Sequence, residues 1–228
     1  YVSNGVLDLG VTGLDLLHDS GADVKHVMDL GFGEARFCYA VPKESDLTPD
    51  AFTADTRIAT SYTNLVRKDL DRRGVDADII DLDGAVEISI DLGVADAIAD
   101  VVQTGRTIDE AGLETAGPPI LDTQAILVAQ NGDVAQIESA RLFAERVRDI
   151  LVAREYVVVE YDLPRSSLSE ARTITPGIES PTVSPLSKDG WVAVKAMVEQ
   201  DDVNAIMDDL TDIGAKGIII TDIRTCRI

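Results

Sequence analysis

The residues best equipped for chemistry stand together at Asp100-Val101-Val102-Gln103-Thr104-Gly105-Arg106-Thr107. A carboxylate, two hydroxyls, a guanidinium and a glycine that frees backbone N–H groups make a set suited to a phosphorylated ligand. The same residues also fit a plainer role. Thr-Gly-x-Thr after a strand serves as a helix-opening turn, with Thr107 as N-cap and Gly105 relieving strain, and Asp100 then ends the strand in solvent.

The elements that position this group follow from the apolar pattern. Ala97 to Val102 is a short apolar run broken by one acid and bounded by Gly93 and Gly105, which predicts a buried strand. In open α/β sheets ligands sit at the carboxyl edge, where this strand delivers Asp100 and the polar turn. A helix starting near Thr107 adds the positive end of its dipole. A second strand-turn-helix precedes it: Val6 to Val11 alternates as a strand, Thr12-Gly13 turns, and Leu14-Asp15-Leu16-Leu17 opens a helix ending near Gly21. Gly13 and Asp15 either face a nucleotide or let strand and helix meet.

Further strands are expected at Val24–Leu30, at Ala35–Val41 closed by Pro42, at Ile58–Thr60 and at Asp76–Asp81. Asn64 caps a helix carrying Leu65, Val66 and Leu70, and a phosphate at its N-terminus would see nearby hydroxyls of Thr60, Ser61 and Thr63. Glu87 lies on a short helix beginning near Gly84 and either orders the loop after Asp100 or caps its own helix. Residues 109–119 read as connection and Ile120–Ala129 as one strand. Asn131-Gly132 is a turn, and Asp133 or Gln136 opens an amphipathic helix with Ile137, Ala140, Phe143, Val147 and Leu151 on one stripe. Alternating strands and helices predict an α/β sheet with crossovers.

From residue 156 the character changes to strand, short helix, two strands, helix and strand, the βαββαβ order of a ferredoxin-like unit. Asp202 caps its second helix and Gly214 ends it; Trp191 and Met197 are expected in its core.

Bulk properties narrow the functional classes. The 228 residues, 45% of them hydrophobic, hold no run of membrane-spanning length, and a net charge of −21 argues against binding nucleic acid or an anionic membrane surface. Cys38 and Cys226 are too few for a disulfide framework or zinc site and suit reduced thiols in the cytoplasm. On so acidic a chain a phosphate site needs local cations or a metal, with Arg36, Arg57, Arg67, Lys68, Arg72, Arg73 and Arg106 as candidates. His18 and His26 have no partner at ligand or triad spacing and are expected at the surface.

Several segments, in order, resemble one family. Glu87, Gly93, Ala95, Ile98, Asp100, Val101 and Thr104-Gly105-x-Thr107 match the pattern of ATP phosphoribosyltransferase, the first enzyme of histidine biosynthesis, departing mildly at Ile108. Asp8-Leu9-Gly10-Val11-Thr12-Gly13-Leu14-Asp15, residues 57–65 and residues 202–207 are similar to its recurring segments too.

The resemblance implies a two-lobed α/β catalytic part like a periplasmic binding protein, followed by a ferredoxin-like regulatory domain. Lobe I would comprise residues 1–34 and 128–155, lobe II residues 35–127 and the regulatory domain residues 156–228. It implies transfer of phosphoribosyl from phosphoribosyl pyrophosphate to N1 of ATP, with Mg2+ arriving on the pyrophosphate and no metal ligands from the protein. Asp100 would be catalytic and, with Thr104, Gly105, Arg106 and Thr107, would bind phosphoribosyl pyrophosphate, while Gly13 and Asp15 would serve the nucleotide. L-Histidine would inhibit by feedback near Asp162, Ile178, Thr182 and Gly217, and dimers would associate into hexamers. Beginning at Tyr1, without methionine, the chain reads as an N-terminally incomplete copy lacking the opening β-α-β unit. A ligand-binding protein without chemistry, or a protein in which only the C-terminal domain works, remains the alternative.

Overall fold

Three sheets organise the chain, and the computed structural model describes residues 1–130 and 137–228 of it. The turn expected at Asn131-Gly132 and the helix opening at Asp133 or Gln136 lie outside the described residues. The chain divides into two compact units, Tyr1–Ala140 and Arg141–Ile228.

The first unit runs β1 (Leu9–Gly13), α1 (Leu14–Ser20), β2 (Val24–Asp29), β3 (Ala35–Pro42), β4 (Arg57–Thr60), α2 (Thr63–Arg73), β5 (Asp78–Asp81), α3 (Ile88–Asp91), β6 (Ala97–Val102), α4 (Arg106–Glu110), β7 (Leu113–Thr123) and β8 (Ala125–Gln130). A small antiparallel sheet has the order β1-β8-β2, and a larger one the order β5-β4-β6-β3-β7. In the larger sheet β4 lies parallel to β5 and β6, whereas β3 is antiparallel to β6 and β7. The chain passes between the sheets after β2 and at Gln124, giving two lobes. Because β8 joins the small sheet from Ala125 on, residues 125–127 fall in that lobe.

Layers on both faces of the larger sheet explain its run of five buried residues, Phe37 to Val41. Phe37, Tyr39 and Ala99 pack with Leu65, Val66 and Leu70 of α2, while Cys38, Ala40 and Ile98 pack with Val86 and Ile108. Within the first layer Asp69, only 2% exposed, accepts hydrogen bonds from the Tyr39 hydroxyl (3.1 Å) and Arg73 Nε (2.7 Å), and pairs with Arg72. Burial, and then the Asp69 charge, push the Tyr39 hydroxyl far above the usual phenol range. A buried carboxylate is tolerated because its partners travel with it.

Pairing moves several boundaries. β1 starts at Leu9 because Leu9 to Gly13 are matched by Ala129 to Ala125 of β8, so Thr12-Gly13 completes the strand and no turn precedes α1. Residues 113–119, expected as connection, are strand: β7 is an edge strand, which accommodates prolines, and its pairing slips between Phe37↔Leu121 and Tyr39↔Ala116 around Gly117-Pro118-Pro119. The expected strand Ile120–Ala129 is two strands, broken at Gln124.

In the second unit, residues 141–155 of α5 (Glu138–Glu155) precede β9 (Tyr156–Pro164), α6 (Leu168–Ile174), β10 (Thr182–Pro185), β11 (Trp191–Glu199), α7 (Val203–Asp212) and β12 (Lys216–Asp222). The sheet order β10-β11-β9-β12, antiparallel throughout, is the ferredoxin-like plan. Strict alternation puts Val157, Val159, Tyr161 and Leu163 in the core with Leu168, Val203 and Leu210. Trp191 stands outside this core: Lys188 Nζ lies 3.8 Å and Lys216 Nζ 5.9 Å from its ring centre. Met197 is half-buried and meets Cys226 Sγ at 3.9 Å. Among the described residues no helix is long and apolar enough to cross a membrane.

Candidate active site

β6 carries Asp100 to the sheet edge half-buried, with the Val101 N–H donating to its Oδ1 at 2.7 Å. Burial pushes the Asp100 carboxyl up, the Val101 bond pulls it back, and the charges of Glu87 and Asp15 push it up again. The turn that follows is exposed at Thr104, Arg106 and Thr107. Gly105, at φ +75°, adopts the left-handed conformation that suits glycine, and it occupies the N-cap position of α4. The helix therefore begins at Arg106, and Thr107 lies inside it. Thr104 Oγ1 reaches the Arg106 N–H only at 3.5 Å, and Arg106 Nε binds Glu110 at 2.7 Å.

Asp15, on α1, is 7% exposed and faces the same region. Its backbone N–H donates to Thr123 Oγ1 (3.0 Å), whose hydroxyl donates to Asp15 Oδ1 (2.7 Å), and Tyr62 lies near enough for the carboxylate to act on its phenol. Tyr62 packs on Phe37 with ring centres 5.0 Å apart and planes tilted by 59°, and burial together with Asp15 raises its phenol well above the usual range. Gly13 leaves room for the carboxylate, since a Cβ there would stand 2.2 Å from Asp15 Oδ1. Thr123 also lines a 440 Å³ hollow with Arg36, Gln103 and Gln124, beside the turn and the crossing between lobes.

Most candidate cations are already engaged. Arg57 grips Asp96 through Nε (3.1 Å) and Nη2 (2.7 Å) and donates to the Gly93 carbonyl, which holds the Asp96 carboxyl below its usual range. Arg72 and Arg73 hold Asp69, and Lys68 Nζ donates to the His18 carbonyl at 2.7 Å. The α2 N-terminus is occupied too. Tyr62 takes the cap position expected for Asn64, and Asp19 Oδ1 accepts the Leu65 N–H at 2.9 Å. That carboxylate stands where a phosphate was expected. Arg36 remains exposed in its hollow and Arg67 is exposed on α2, while Arg106, exposed beside the turn, pairs with Glu110.

The C-terminal residues are distributed along one sheet. Asp162 of β9 lies opposite Lys216, next to Gly217 in a break of the β12 pairing, whereas Thr182 of β10 lies opposite Lys195. Ile178 lines a hollow with Tyr156 and Glu199, at the other end of β9 from Asp162. Asp162 and Gly217 are thus brought together, and Ile178 is not. Among the described residues no group of three or more His, Cys, Asp or Glu is placed to hold a metal ion; His26 pairs with Asp29 at 2.9 Å on the surface.

Comparison with known proteins places the whole chain in a family. The ATP phosphoribosyltransferase family model matches residues 1–150, and that of the HisG C-terminal domain matches residues 153–225. This chain belongs to the ATP phosphoribosyltransferase family. It is 76% identical over 228 residues to the ATP phosphoribosyltransferase of Salinibacter ruber, covering all of this chain and 81% of that one. It is 50% identical to that of Corynebacterium diphtheriae, again over all of this chain and 80% of the relative. Among solved structures, the ATP phosphoribosyl transferase (HisG:HisZ) complex from Thermotoga maritima aligns with a TM-score of 0.57 at 26% identity, over 65% of this chain and 72% of that one. The activity is therefore transfer of phosphoribosyl from phosphoribosyl pyrophosphate to N1 of ATP, the first step of histidine biosynthesis.

Two residues of the cleft were missed in the sequence. Tyr62 stands between Ser61 and Thr63, where nothing in the local pattern sets it apart from its hydroxyl-bearing neighbours. Thr123 had a signal: Asp122-Thr123-Gln124 is the polar break in the apolar run from Ile120 to Ala129.

Proposed function

We propose that the Mg2+ complex of phosphoribosyl pyrophosphate is held by Thr104, Gly105, Arg106 and Thr107 at its 5-phosphate, with Asp100 against the ribose. The observation that carries this is the turn itself: a left-handed Gly105 ahead of α4, flanked by exposed hydroxyls and a guanidinium, five residues beyond a half-buried carboxylate. As pyrophosphate leaves, positive charge grows on the ribose, and a desolvated carboxylate aimed there stabilises it. Holding ribose and adenine in line supplies the remainder of the catalysis, and no covalent nucleophile is needed. Mg2+ comes with the substrate and neutralises the leaving group.

ATP approaches from the lobe that carries Gly13 and Asp15. A carboxylate in that position suits amino and hydroxyl groups of the nucleoside and repels the triphosphate. The C-terminal unit, residues 156–228, binds L-histidine as inhibitor near Asp162, Thr182 and Gly217; Ile178, at the other end of β9, is too far away to share that site. The enzyme works in the cytoplasm as a homo-oligomer of dimers up to hexamers.

Calorimetric titration with Mg2+ and phosphoribosyl pyrophosphate, with and without histidine, tests this reading. The Thr104→Ala, Thr107→Ala double variant is expected to bind on the order of a hundredfold more weakly with its fold intact, on the scale of two lost hydrogen bonds to a charged group. Unchanged affinity in that variant removes the phosphate site from this turn, and histidine bound without phosphoribosyl pyrophosphate leaves only the regulatory half of the function.

A further inference from the structure

Helix α1 has no side-chain cap of its own, because Gly13 occupies the cap position. Its first two amides are satisfied from the crossing between the lobes: the Gln124 carbonyl accepts the Leu14 N–H at 3.0 Å, and Thr123 Oγ1 accepts the Asp15 N–H at the same distance. Having accepted that bond, the Thr123 hydroxyl donates to Asp15 Oδ1 at 2.7 Å. One buried threonine thus fixes both ends of Asp15, its backbone and its carboxylate. Gly13 bounds the carboxylate on one side, where a Cβ would approach to 2.2 Å. Thr123 is 108 residues from Asp15 in sequence, and only Gly13, two residues before it, is near. A helix cap of this kind needs only an acceptor; the returned hydrogen bond to the carboxylate goes beyond what capping requires.

We propose that Thr123 is a positioning residue for the nucleotide substrate, holding the Asp15 carboxylate in the single orientation in which it accepts a hydrogen bond from the nucleoside part of ATP. The proposal rests on the reading of Asp15 given above. Thr123 acts through Asp15 and touches neither substrate, and Gly13 is part of the device because it leaves the carboxylate its space.

Steady-state kinetics of Thr123→Val, Thr123→Ser, Gly13→Ala and Asp15→Asn, with thermal melts of each, decide the matter. Thr123→Val is expected to raise KM for ATP about tenfold while leaving KM for phosphoribosyl pyrophosphate within about twofold, the scale of one hydrogen bond to a charged group. Thr123→Ser, which keeps both hydrogen bonds, restores the ATP value. Gly13→Ala shows the same split with the threonine still in place, and keeps the test open if Thr123→Val fails to fold. Thr123→Val adds nothing to Asp15→Asn when the two are combined. An unchanged KM for ATP in Gly13→Ala, or in a folded Thr123→Val, overturns the proposal, and so does a parallel rise of both KM values. If Asp15→Asn raises KM for ATP and Thr123→Val does not, positioning falls alone; if Asp15→Asn has no effect either, the nucleotide reading of Asp15 falls with it.

Discussion

α2 and α4 both follow strands of the larger sheet, and both begin in hydroxyl-rich turns: Thr60-Ser61-Tyr62-Thr63 ahead of one, Thr104-Gly105-Arg106-Thr107 ahead of the other. At α2 those groups serve the fold. Thr60 Oγ1 donates to the Ala99 carbonyl at 2.7 Å and accepts the Tyr62 N–H at 3.0 Å, Ser61 Oγ donates to the Leu82 carbonyl at 2.6 Å, and Asp19 takes the Leu65 amide. At α4 the hydroxyls stay exposed, the single contact of Thr104 is 3.5 Å long, and among the described residues no carboxylate meets the α4 amides. Composition made the two turns equivalent phosphate seats. What separates them is that α1 of the other lobe delivers Asp19 to the α2 amides, while among the described residues no carboxylate is delivered to those of α4.

The strongest test of that contrast lies beside the open turn. Asp100→Asn is expected to lower kcat on the order of a hundredfold, the scale of one lost electrostatic contact to a developing charge, read from initial rates. The same substitution should raise thermal stability at neutral pH. A carboxyl whose folded pKa is raised contributes stability that is fully present below the unfolded value of about 3.9 and is lost as pH rises through the folded one, so the gain from asparagine vanishes in acid. Melts at pH 7 and in acid check the sign, and full activity in the asparagine variant would remove Asp100 from the mechanism.

A smaller effect is expected at the closed turn. Asp19→Ala removes the carboxylate at α2 and should cost about 1 kcal/mol of stability by denaturant unfolding, with affinity for phosphoribosyl pyrophosphate unchanged. Tighter binding of phosphoribosyl pyrophosphate in this variant would show that α2 is a second phosphate seat and dissolve the contrast.

The smallest effect concerns Glu87, half-buried at the N-cap position of α3, whose charge helps hold the Asp100 carboxyl up. With Glu87→Gln, the acid limb of kcat/KM for phosphoribosyl pyrophosphate moves to lower pH. An acid limb that stays in place would mean that Asp100 does not govern it.

Much of the site was legible because it is local. Ala97 to Val102 is the strand that its apolar run predicts, since a strand buried on both faces needs only a short block of small and β-branched residues. The βαββαβ order was readable for the related reason that β9 and β11 alternate strictly, one face on the core and one off it. Thr123 escaped because its partner is 108 residues away, and spacing carries no information about such a pair. Trp191, expected in the core, lies outside it because size and apolarity do not report which face of an alternating strand a residue takes; it alternates with the buried Val192 and Val194 and meets Lys188 and Lys216.

The sequence by itself determined the family, the strand that bears Asp100, the glycine turn after it and the order of the C-terminal elements, because each depends on neighbours within a few residues. The tertiary structure decided which of two similar turns stays open, which cations are already paired, and how Asp15 is held. Those outcomes depend on antiparallel pairing of β1 with β8 and on the crossing at Gln124, which bring α1, α2 and the end of β7 together from three separate stretches of chain.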